Sequence, residues 1–279
     1  MAGPFAPTAN AALAVAEAWG VAPADVLRAA IAAASDSTPG DIALAAVVYV
    51  IARQSGSSVA GDVLAGRIKV DEVPRSALSG DEWAYYRPAA SGGKGDTIAV
   101  PSDLDVTNLA HRGAVVHELT HAEDDKAARG PRVRKTARDM GEVRAYRRQA
   151  RFLLDTVGAL SATGSGAAVQ AIAEHQIASI WNPLILVALV IEALGDADRL
   201  KPVVVRINAA APRARAEKSV IDELFTWGAT RLEVRLQTLI RKPKEEGGYG
   251  ISSPEDNRTI QEGLSGESIL DWINRPIEE

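Results

Sequence analysis

The sequence predicts an α+β protein that is predominantly helical, and three observations point there. The first 56 residues and most of the chain beyond residue 104 place apolar residues at helical spacing. Between 57 and 101 the composition shifts to Gly, Ser and Pro, with two short β-prone pieces, "RIKV" and "DTIAV". No internal repeat or heptad array suggests a solenoid or a coiled coil instead.

Each element has its own punctuation. Thr8 precedes "ANAALAVAEAW" and Gly20 follows it, Pro23 and Asp25 open "ADVLRAAIAAAS", and Thr38-Pro39 opens "GDIALAAVVYVIARQ" before Gly56. These three helices form an N-terminal helical segment, residues 1–56, and the third is apolar nearly all round, which predicts burial. A small sheet or hairpin is expected over 57–101. Helical patterns then return over 105–127, 139–160, 167–181, 183–194 and 217–241, with "KPVVVRIN" between the last two readable as a strand or a helix start. The body therefore spans 57–241. Residues 242–279 form a polar, turn-rich tail in which "SILDWI" is able to dock as a short helix.

Composition narrows the chemistry. At 279 residues the chain is long enough to bury a sizeable core. It has no cysteine, so disulfides, thiol nucleophiles and Cys-type zinc sites are excluded, and any metal must be held by His, Asp or Glu. A net charge of −5 argues against a general nucleic-acid binder. The longest apolar run, "LILVALVI" at 184–191, is well short of the ~20 residues of a membrane span. The first charge is Glu17 and no basic region precedes an apolar stretch, so no signal peptide is expected. The expectation is a protein cytoplasmic as synthesised. If it leaves the cell, it does so with a delivery or carrier partner, through a secretion or injection system that reads no N-terminal signal.

The segment "AVVHELTHAEDDKAARG", 114–130, carries the chemistry. On a helix, residues i and i+4 share a face, so His117 and His121 can present two imidazole nitrogens to one ion while Glu118 points to the side. This is the H-E-x-x-H arrangement, in which the two histidines bind zinc and the glutamate is the general base. The plain alternative is a surface helix with two histidines and several carboxylates. A catalytic zinc wants three protein ligands, and Glu142 in "DMGEVRAYRRQARFLL" stands 21 positions after His121. Two antiparallel helices joined at Gly130-Pro131 would bring that carboxylate back beside the histidines.

With these residues the sequence resembles the gluzincin branch of the zincin metallopeptidases over about 96–150. The resemblance implies a zincin-like active-site helix pair and one Zn2+ per chain held by His117, His121 and Glu142. It also implies Glu118 as general base, a polypeptide substrate, and an edge strand over "DTIAV", 96–100, where substrate backbone lies by β-augmentation. The E-x-x-A-Y form at Glu142 to Tyr146 is similar to small bacterial metallopeptidase domains associated with secreted effectors and toxins. There are departures from the family patterns. Asp124 and Ala127 stand where a metzincin has Gly and His. Tyr146 stands where thermolysin-like enzymes have an Asp, which leaves Asp124 or Asp125 to orient an imidazole. "KTARD" resembles the T-x-x-D of the aspzincin branch and makes Asp139 a rival third ligand.

Other features carry less. His175, Tyr146, Tyr85 and Tyr86 are candidate donors to the oxyanion of the tetrahedral intermediate, His175 and Tyr146 foremost. A lone helical His is ordinarily structural, and Tyr146 equally suits packing beside Glu142. Residues 126–151 hold ten Lys or Arg against Asp139 and Glu142. They read as an electropositive rim selecting acidic or phosphorylated substrates or a nucleic-acid-bound protein, or as solvated helix faces paired with acids of the N-terminal half. "SGGKGDT" leads into a β-prone piece rather than a helix and is a turn, not a phosphate loop; "TGSGAA" at 163–168 is an interhelical loop. Two functions result: a zinc metalloendopeptidase, or a non-catalytic binding or structural protein that retains a zincin-like fold. The presence of Glu118 beside three ligands favours the first.

Overall fold

The computed structural model describes residues 22, 24–26, 39–78, 84–89, 96–104, 109–128, 137–162, 183–194, 196, 198 and 226–245. They are mostly helical, with one small three-stranded sheet. The first predicted helix, most of the second, residues 167–181, "KPVVVRIN" and the tail beyond 245 lie outside them. The chain divides into two compact units, Met1–Lys135 and Thr136–Glu279.

In the first unit, helix α1 (Pro39–Gln54) begins with a proline at its first position, where the missing N–H costs nothing. Residues 43–52 are buried, as the apolar pattern requires. Its end is a Schellman motif: Ser57 N–H donates to Ala52 O and Gly56 N–H to Arg53 O, with Gly56 at φ 63°, a conformation that disfavours any residue with a Cβ. The motif repeats at once. Helix α2 (Ala60–Leu64) closes with Arg67 N–H on Asp62 O and Gly66 N–H on Val63 O, Gly66 having φ 67°. Two tight stops in succession turn the chain into strand β1 (Ile68–Val73).

Strands β2 (Tyr85–Arg87) and β3 (Asp96–Pro101) complete the sheet in the order β1-β3-β2. β1 runs parallel to β3, with Ile68 opposite Asp96 and Val73 opposite Pro101, and β2 runs antiparallel, with Tyr86 opposite Ile98. The expected edge strand is therefore corrected. "DTIAV" lies in the middle of the sheet, buried at all six positions of β3, and β2 is an outer strand. The physical reason is that a strand covered on both faces reads as a continuous apolar run, whereas an outer strand is short and carries charge, here Arg87. α1 packs on β1, and Asp41 Oδ1 in its first turn accepts the Glu72 N–H at 2.6 Å.

Helix α3 (Leu109–Ala128) packs against α1, β2 and β3. Leu109, Val115, Val116, Leu119 and Ala122 form its buried stripe at helical spacing. Gly130 and Pro131 follow it in sequence, residues that do not extend a helix.

The second unit is helical in its described part. Helices α4 (Ala137–Ala162), α5 (Pro183–Ala193) and α6 (Gly228–Glu245) pack on one another. α6 turns one narrow stripe, Leu232, Leu236 and Ile240, inward. α5 is apolar almost all round and buried accordingly. No helix among the described residues is long and apolar enough to cross a membrane.

Candidate metal centre

His117 and His121 are successive side chains on one face of α3, with ring centroids 4.9 Å apart and planes at 68°. His117 is 9% exposed, and His121, Glu118 and Glu142 are half-buried. His117 and His121 belong to the first unit, and Glu142, the third residue the sequence offers to a metal, belongs to helix α4 of the second. Two neutral imidazoles and one carboxylate are the donor types of His2Glu zinc sites. In donor type, the three residues suit a zinc ion.

The sheet and the loops brace this helix through polar side chains. Tyr86 of β2 reaches it twice, its N–H donating to Glu118 Oε2 at 2.7 Å and its phenol to Asp125 Oδ2 at 2.8 Å. Burial, the Asp125 carboxylate that accepts its proton, and Asp96 hold the Tyr86 phenol protonated far above the ordinary tyrosine range. Asp96, itself buried, accepts the Ala89 N–H at 3.0 Å just beyond β2. The Schellman turn after α1 delivers Ser57 and Ser58 to Glu123, whose Oε1 accepts the Ser57 hydroxyl at 2.6 Å and the Ser58 N–H at 2.7 Å. Lys126, in the last turn of α3, pairs with Asp62 of α2, which Arg67 also holds at 2.6 Å. Burial pushes the Asp62 carboxyl up, but its hydrogen bonds and charge contacts with Lys126 and Arg67 outweigh that and keep it below the usual aspartate range.

The remaining candidates fall as follows. Tyr146 is half-buried in α4, one turn after Glu142. Asp139 belongs to the first turn of α4, its side chain outside the described part, and His175 lies outside the described residues altogether. Tyr85 stacks under Arg87, whose guanidinium carbon is 5.4 Å from the ring centroid and which bonds Asp71 at 3.0 Å. Of the two aspartates offered as imidazole partners, Asp125 accepts the Tyr86 phenol. The pairing expected for the basic segment holds for Lys126 with Asp62. It is corrected for Arg147 and Arg151, which pair with acids of the C-terminal half: Arg147 with Glu192 at 2.6 Å and with Glu233, Arg151 with Glu192 at 2.7 Å. Acids 41 to 86 positions away along the chain are beyond the reach of local charge patterning. Sequence reasoning did not weigh Glu123 as a brace, although a carboxylate two residues past His121 was visible, and it had no signal for the Tyr86 amide.

No protein-family model, curated protein or solved structure matches this chain.

Proposed function

We propose that the chain is a zinc-dependent metallopeptidase with a zincin-like fold, cleaving polypeptide bonds with His117, His121 and Glu142 as metal ligands. The observation that carries the reading lies within a single helix. His117 and His121 stack one turn apart with ring centroids 4.9 Å from each other, and Glu118 projects beside them toward an outer strand of the sheet. Glu142 supplies the anionic ligand, and the absence of cysteine leaves no thiolate to compete. When bound, zinc contributes Lewis acidity toward the scissile carbonyl and the attacking water. Glu118 takes the proton of that water and passes it to the leaving amine, a task for which a carboxylate held beside the reacting atoms is suited.

The test is the Glu118→Gln variant. Glutamine keeps the shape and an acceptor for the Tyr86 N–H and leaves the three ligands untouched, so zinc stays at about one per chain. What it lacks is the proton acceptor, and cleavage falls by ~10² to 10⁴-fold. A peptide-library digest by wild type and variant, with elemental analysis of both, reads the two effects separately. Equal cleavage by both removes Glu118 from the mechanism. No zinc in wild type, or no products from it, moves the chain to the non-catalytic reading.

A further inference from the structure

Tyr86 ties β2 to α3 at two points. Glu118 and Asp125 are seven positions apart, two helical turns, and so lie on one face of α3. Tyr86 spans them, N–H to Glu118 Oε2 and hydroxyl to Asp125 Oδ2. Tyr86 stands opposite Ile98 in the ladder, yet its N–H goes to a side chain of the helix, so this donor faces outward from the sheet. A glutamate side chain has three rotatable bonds, and a reacting group displaced by ~1 Å can lose roughly 100-fold in rate. A charge-assisted bond to one carboxylate oxygen removes most of that freedom while the other oxygen handles the proton.

We propose that Tyr86 is the positioning residue of the general base: its main-chain N–H fixes the Glu118 carboxylate, and its phenol, through Asp125, fixes the strand that carries this N–H. The inference rests on the peptidase reading. It also reassigns Tyr86 from candidate oxyanion donor, because its phenol proton is directed to Asp125.

Two variants separate the parts. Tyr86→Phe removes only the phenol. Tyr86→Pro also deletes the N–H, at an outward position where proline breaks no ladder bond. On a synthetic peptide cleaved in the library digest, and with zinc content unchanged, kcat is expected to fall roughly 10-fold for Tyr86→Phe and roughly 100-fold for Tyr86→Pro, with KM held within about twofold. Amide exchange followed by NMR gives a readout free of activity. The Tyr86 amide should exchange roughly 10-fold or more slowly in wild type than in Glu118→Ala, with Tyr86→Phe between them. A merely structural tyrosine would instead lower the folded or zinc-loaded fraction and leave kcat of the remainder unchanged.

Wild-type kcat in the proline variant overturns the proposal, as does equal exchange at Tyr86 in wild type and Glu118→Ala. If the proline variant fails to fold, the phenylalanine variant and the exchange comparison decide in the same sense. An active wild type with undiminished Tyr86 variants removes this inference and leaves the peptidase reading standing. A wild type that cleaves nothing removes both.

Discussion

The helix that carries the two histidines and the helices of the second unit are held in place by different means. Around α3 the apolar stripe is supplemented by polar ties from three separate elements: Tyr86 from β2, Ser57 and Ser58 from the turn after α1, and Asp62 from α2. Around α5 the surroundings are almost wholly apolar, and one acid, Glu192, collects two arginines of α4. Burial is non-directional and fixes a helix to within what packing tolerates. Hydrogen bonds from several directions fix rotation and register as well, which is what the proposed function would require of a helix presenting ligands and a base. The contrast is between a part built for stability and a part built for alignment.

The sharpest way to break that contrast is in the apolar core. Leu189 in α5 is 1% exposed, so Leu189→Ala should lower the stability of the second unit by ~2–5 kcal/mol through lost transfer energy and the cavity left behind. Denaturant unfolding reads it directly, and a loss under ~1 kcal/mol would mean that packing around α5 is looser than its burial implies.

Glu192→Ala comes next. Its side chain is 5% exposed, while Arg147 and Arg151 are 35% and 56% exposed, so both guanidinium groups can turn to water once the acid is gone. The expected loss is therefore ~1–3 kcal/mol, the scale of charge-assisted hydrogen bonds, and less than a charge trapped in the core would cost. Replacement by Gln should recover part of it.

The smallest effect belongs to the polar braces. Lys126 and Arg67 are more than half exposed, and solvent screening limits what Asp62→Asn costs to roughly 1 kcal/mol at neutral pH. The sign with pH is fixed by direction. Asp62 is held below its ordinary range in the folded chain, so its contribution is fully present above the unfolded value, about 3.9, and is lost as pH falls through the lower folded value. Melting curves of wild type and Asp62→Asn should therefore converge in acid. A difference that widens in acid would reverse the assignment.

These contrasts also mark what the sequence made legible. The H-E-x-x-H face of α3 was readable because its residues are local and helical spacing alone puts His117 beside His121. α1, α4 and α5 were readable from apolar periodicity, and each begins within two residues of its expected start. The centre and edge of the sheet were not. A central strand differs from an edge strand by what lies on either side of it, and β1 and β3 pair in parallel across 22 residues that contain β2. β2 itself is only three residues long, too short for alternation to register. Tyr86 entered as a phenol, while the group that meets Glu118 is a peptide N–H that every residue but proline has. Its importance comes from placement and has no signature in residue identity.

The apolar segment of α5 has a consequence for the chain before it folds. Leu184 to Ile191 is eight residues without a charge, rich in β-branched and leucine side chains and free of proline, the composition of a self-associating strand when exposed to other copies. Glu192 stands immediately after it. In the native helix this acid is the anchor for two arginines; in the nascent or denatured chain the same charge is a gatekeeper, repelling a second copy at the end of the sticky run until α4 and α6 have covered it.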